Sequence, residues 1–139
     1  MLNRPDRADL LEAVAAFLEG EVKGAVGDPR LAFRVLIAAN LCRSVAEESR
    51  RGELDEHAEL ERLRALLPGK LTERAISQSI GPEARRALIR EKDQALIDRI
   101  RDKSTSPAQR QAITDHVKTT LRAELSITNP RFDLSAEIE

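Results

Sequence analysis

An all-α fold is predicted by three features of this 139-residue sequence. Apolar residues recur at three- and four-residue intervals, the period of a helix that buries one face. No Val/Ile/Thr-rich alternating run offers a strand. Pro5, Pro29, Pro82 and Pro107 each stand at the head of a helical pattern, where a missing N–H costs nothing. Together they predict one domain over 1–139. It is a single-domain bundle of five to six helices packed around a central buried helix at about 29–51, with about 130–139 as a tail.

The first helix is expected from about Asp6 to Lys23. Asp6 caps it, Leu10, Leu11, Val14, Phe17, Leu18 and Val22 form its apolar stripe, and Gly20, Gly24 and Gly27 loosen and end it. The second is the centrepiece. Asp28 caps it, Pro29 takes its first position and Gly52 closes it. Its run Val35-Leu36-Ile37-Ala38-Ala39-Asn40-Leu41-Cys42 is the longest without a charge, so it is expected to be buried on most of its circumference.

A third helix, about 53–67, has early acids and late arginines, and Leu60, Leu63, Leu66 and Leu67 as its buried side. A short fourth is expected over 72–80, contacting through Leu71, Ala75, Ile76 and Ile80. The fifth runs from about Pro82 to Asp102 with Leu88, Ile89, Leu96, Ile97 and Ile100 inward; its Arg85, Arg86, Arg90 and Lys92 read as a solvated face. Ser106 caps the sixth and Pro107 opens it. Ile113, Val117, Leu121 and Leu125 mark its buried line.

Composition narrows the function classes. Hydrophobic residues at 41% and charged residues at 34% describe a folded chain with a heavily charged surface. Lys plus Arg number 23 against 24 acids, so the net charge of -1 supplies no drive toward nucleic acid or an anionic membrane. Three Phe, with no Tyr or Trp, leave little for base stacking. The lone Cys42 excludes an internal disulfide, the charged N-terminus is unlike a signal peptide, and no stretch reaches membrane-span length. A cytoplasmic location is expected, with no nucleic-acid or membrane partner.

No catalytic set is legible. His57 and His116 stand apart from each other and from Cys42, without metal-ligand spacing, and both are expected to border the core as neutral residues. There is no phosphate loop, no GxSxG elbow, and Cys42 sits in apolar surroundings where a thiol is inert. No metal, cofactor or catalytic residue is assigned, and the balance is against an enzyme. What stands out is polar side chains within the apolar second helix: Arg34, Asn40 and Arg43. Either they are satisfied internally, Asn40 by a backbone carbonyl at a helix crossing and the arginines by acids such as Asp9, Glu12 or Glu19, or Arg30, Arg34 and Asn40 face an anion or a partner's carboxylate.

Three stretches carry a family resemblance. They are Arg4-Pro5 with Leu10-Leu11-Glu12-Ala13-Val14 and Phe17-Leu18; Arg30-Leu31-Ala32-Phe33-Arg34-Val35 with Ala38-Ala39-Asn40; and Asn129-Pro130-Arg131-Phe132. They resemble a family of small, all-helical bacterial proteins classed as a domain of unknown function and often encoded near acyl-CoA dehydrogenases and aminoglycoside-phosphotransferase-like proteins. The closing motif commonly carries Tyr where this chain has Phe132. The resemblance implies an accessory role beside such enzymes.

The expectation is therefore an accessory or protein-interaction module acting with a metabolic enzyme. Arg30, Arg34, Asn40, Arg43 and Arg131 are its candidate ligand or partner residues. The alternatives are a small-molecule or anion-binding protein built on Arg30, Arg34 and Asn40, and a structural homodimer.

Overall fold

A computed structural model of the chain describes residues 4–67 and 80–132. Among them every regular element is helical and none is a strand. The short helix expected over 72–80 falls outside the described residues except for Ile80, as do residues 133–139 of the expected tail. The chain divides into two compact units, Met1–Gly52 and Glu53–Glu139.

In the N-terminal unit, α1 spans Arg7–Phe17. The Asp6 side chain accepts the Asp9 N–H at 2.9 Å and the Asp9 carboxylate accepts the Asp6 N–H at 3.3 Å, a reciprocal cap that satisfies two otherwise orphaned donors. The expected loosening at Gly20 takes a different form. The helix widens into a π-helical turn, Leu18–Val22, and resumes as α2, Lys23–Ala25. An extended link then leads to α3, Pro29–Leu66, where the Asp28 carboxylate accepts the Arg30 N–H at 3.0 Å.

The second and third helices expected from the sequence are one helix, the 38-residue α3. Gly52 does not end it. A glycine stop requires the left-handed conformation, and Gly52 has no positive φ. Arg50, Arg51, Glu53 and Leu54 around it are all good helix formers. An interior glycine costs about 1 kcal/mol, too little to break such a run.

α1 and α3 run antiparallel within this unit. Glu19 pairs with Arg43, while Glu12 and Asp9, further back on α1, pair with Arg50, further along α3, at 2.6 and 3.3 Å. Among the described residues of this unit the buried ones are all alanines: Ala8 and Ala15 on α1, Ala39 and Ala46 on α3, seven apart on each helix. Small side chains at such a contact let helix axes approach closely. The cost is that the large apolar side chains point elsewhere. Leu10, Val14 and Phe17 on α1, and Leu31, Phe33, Ile37, Leu41 and Val45 on α3, are exposed, Phe33 by 62% and Leu41 by 61%. The expectation of a central helix buried on most of its circumference is thus corrected. One helix packs against α3 here, and one helix covers only one side of another.

In the C-terminal unit the last part of α3 packs with α4, Pro82–Arg101, and α5, Pro107–Thr128. Leu60, Leu63, Leu67, Ile89, Leu96 and Ile113 form the core, with Leu66, Leu88 and Ala95 against it. Ser106 caps α5, its hydroxyl accepting the Gln109 N–H at 3.2 Å. The Arg110 guanidinium donates to the Ile100 and Asp102 carbonyls, both at 3.0 Å, and so satisfies the open end of α4.

The face of α4 expected to be solvated is so only at Arg86 and Arg90, which are exposed. Arg85 is only 2% exposed and Lys92 is buried as well. Arg85 Nε donates to Glu56 Oε2 at 2.6 Å, and Arg86 Nε donates to Glu56 Oε1 at the same distance. Partial burial would raise the Glu56 pKa, but the two guanidinium bonds outweigh it and hold the carboxyl below its ordinary range. A buried guanidinium is tolerated because α3 supplies this carboxylate one helix away.

Candidate functional site

Each unit holds one group of residues that its own packing leaves unexplained. In the N-terminal unit this is the outward side of α3. Arg30, Arg34 and Asn40, singled out from the sequence, are all exposed beside Phe33, Ile37 and Leu41. They looked misplaced only on the premise that their apolar neighbours are buried. Arg43 is different: it pairs with Glu19, one of the acids expected for it, and donates to Asn40 Oδ1 at 3.4 Å. The Arg30 and Arg34 guanidiniums, one turn apart, meet no acid among the described residues. Arg131 is exposed in the turn after α5, in the C-terminal unit. The arrangement joins an apolar stripe to two cationic heads.

In the C-terminal unit the group is an open cavity of about 510 Å³. Ile97, Ile100, Val117 and Leu121, expected to be core, are its apolar walls, which explains their partial exposure. Its polar lining gathers side chains from three helices: Glu56 and Glu59 of α3, Arg86, Arg90 and Asp93 of α4, and His116, Thr120 and Glu124 of α5. One oxygen of Glu59, one of Asp93 and one ring nitrogen of His116 all lie within 4.8 Å of one another.

His116 is 5% exposed. Burial, seconded by the nearby Arg62 charge, lowers its pKa, so the imidazole is neutral and keeps a lone pair. Arg62 Nε donates to His116 Nδ1 at 3.4 Å and its terminal nitrogen donates to the Thr120 hydroxyl at 3.1 Å. Burial raises the Glu59 pKa, and the neighbouring Asp93 charge adds to it. Asp93 is raised for the same reason, with Glu124 adding. Asp93 takes no hydrogen bond or ion pair among the described residues. A partly buried carboxylate without a partner is costly.

Sequence reading did not find this group, because its members come from separate helices with no shared spacing. The available signal was register. Asp93 falls between Ile89 and Leu96, and His116 one turn after Ile113, on lines that otherwise carry core residues. His57, the other histidine, is partly buried, with Nε2 3.8 Å from the Glu53 carboxylate.

No described helix is long and apolar enough to cross a membrane. A family model described as a domain of unknown function (DUF6285) matches residues 25–132. That range takes in α3 through α5, with the Arg30–Asn40 stretch and the closing Asn129–Phe132 motif, and leaves α1 outside. No curated protein and no solved structure matches the chain significantly.

Proposed function

This chain belongs to the DUF6285 family, and we propose that it acts as a protein-interaction module whose docking surface is the outward face of the N-terminal unit. One observation carries the reading: that unit buries alanines and exposes its large apolar side chains, Phe33 and Leu41 above all. Soluble proteins rarely leave a contiguous apolar stripe open unless something covers it. The unpaired Arg30 and Arg34 beside the stripe specify the occupant. It is an amphipathic helix of a partner protein, with its apolar face edged by carboxylates, seated as helix against helix. The resemblance drawn from the sequence directs the search to acyl-CoA dehydrogenase-like and aminoglycoside-phosphotransferase-like bacterial enzymes, beside which the chain would act in the cytoplasm as an accessory protein.

The test is co-expression with each such enzyme and measurement of the complex by titration calorimetry. Phe33→Ser with Leu41→Ser should abolish it, and Arg34→Glu should weaken it at least about tenfold, the order lost when a charge pair is reversed. A wild-type chain that binds neither enzyme, or a complex indifferent to these changes, sinks the proposal. Sedimentation that shows a dimer dissociated by the same substitutions assigns the face to a second copy of the chain instead.

A further inference from the structure

The polar part of the C-terminal cavity has the composition of a metal site. We infer that Glu59, Asp93 and His116 form a binding site for one divalent first-row transition cation, of the Zn²⁺ or Mn²⁺ kind. The argument is independent of the docking face.

The donor set comes first. Two carboxylate oxygens and one imidazole nitrogen are ligands of intermediate hardness. They suit zinc, manganese and ferrous iron better than calcium, which takes six or more oxygens, and better than copper(I), which wants sulfur. Three ligands from three different helices leave further positions open to water or to a substrate atom entering from the cavity.

Geometry follows. Donors bound to one zinc lie about 3.4 Å apart, as bond lengths near 2.1 Å dictate. The three atoms here lie within 4.8 Å of one another, so side-chain adjustments on the order of 1 Å close the site. His116 is held by its burial in α5, in the neutral form a metal requires. Whichever ring nitrogen faces the cation, Arg62 gives up its long 3.4 Å bond to Nδ1 and keeps the 3.1 Å bond to Thr120.

Charge completes it. Glu59, Asp93 and Glu124 crowd together, and each of the first two is disfavoured as an anion by its surroundings. The Arg62 charge offsets part of this at Glu59; Arg86 and Arg90 also line the cavity, but no guanidinium bonds to Asp93 among the described residues. Asp93 has no internal partner that a structural role would supply. A bound dication removes this repulsion.

The experiment uses the full chain without a polyhistidine tag. Zn²⁺ and Mn²⁺ are titrated by calorimetry, with Mn²⁺ binding also followed by electron paramagnetic resonance and Ca²⁺ as the contrast. One equivalent of Zn²⁺ or Mn²⁺ should bind, Ca²⁺ should not, and the thermal midpoint should rise with metal concentration. Asp93→Asn and His116→Gln should each weaken binding at least tenfold, while His57→Gln should leave it unchanged. If His116→Gln fails to fold, Asp93→Asn alone decides, since that carboxylate bonds to no described residue. Absence of saturable binding at 100-fold excess metal, or binding that persists undiminished in Asp93→Asn, overturns the site.

Discussion

Glu56→Gln is the substitution whose effect the fold defines most sharply. Arg85 is 2% exposed and has two carboxylates within reach: Glu56 Oε2 at 2.6 Å and Glu53 Oε1 at 3.5 Å. The Glu56 side chain is 15% exposed and that of Glu53 is 69% exposed. Opposite charges about 4 Å apart attract by roughly 4 kcal/mol at the effective dielectric of a protein margin. Removing one partner of a buried pair leaves the other charge desolvated, at about 3–5 kcal/mol. Glutamine preserves the shape of Glu56, so no cavity contributes. Glu53 remains to compensate Arg85 weakly, which places the expected loss at about 3 kcal/mol. Glu53→Gln removes an exposed partner of the same guanidinium and should cost under about 1 kcal/mol. Urea denaturation at pH 7 measures both, with the transition slope constant so that the midpoint reports stability alone. Equal losses for the two variants, or a Glu56→Gln loss below about 1 kcal/mol, would refute burial of Arg85 as the source of the effect.

Other outcomes follow from the same reasoning. Gly52→Ala should stabilise the chain by about 0.5–1 kcal/mol in thermal or urea unfolding, because Gly52 is helical and a Cβ there meets only the flexible Glu48 side chain, at 3.4 Å. Leu63→Ala should cost about 2–5 kcal/mol, whereas Phe33→Gln should cost under about 0.5 kcal/mol, since Leu63 is buried and Phe33 is not. Asp93→Asn should stabilise the metal-free protein at neutral pH by less than about 1 kcal/mol. The sign follows from linkage. A carboxyl whose pKa is raised on folding favours the fold most below its unfolded pKa, near 3.9, and loses that contribution as pH rises through the folded value. The gain from asparagine should therefore vanish in urea titrations below about pH 3.9 and grow as pH rises through the folded value. His116 has the opposite sign. Its pKa is lowered on folding, so stability should fall as pH drops below about 6.5, and His116→Gln should flatten that limb.

By itself the sequence determined what is local. Helical class, the caps at Asp6, Asp28 and Ser106, the start of α4 at Pro82, and the Leu60/Leu63/Leu67 face all follow from residues within a turn or two of each other. Capping, proline and amphipathic spacing act at that range. The break read at Gly52 marks the limit of local signals, because a glycine stops a helix only if the chain beyond it turns away, and here it does not.

Tertiary structure alone decided burial. An apolar run states that a helix has surface to bury; how much is buried depends on how many neighbours arrive. For α3 in the N-terminal unit the neighbour is α1, meeting it through alanines, so Phe33, Leu41 and the polar residues among them stay outside together. For Arg85 the reverse holds: a residue that reads as surface is enclosed because Glu56 waits on another helix. Glu59, Asp93 and His116 converge for the same reason. Their positions on separate helices acquire a common meaning only when packing sets the registers against one another.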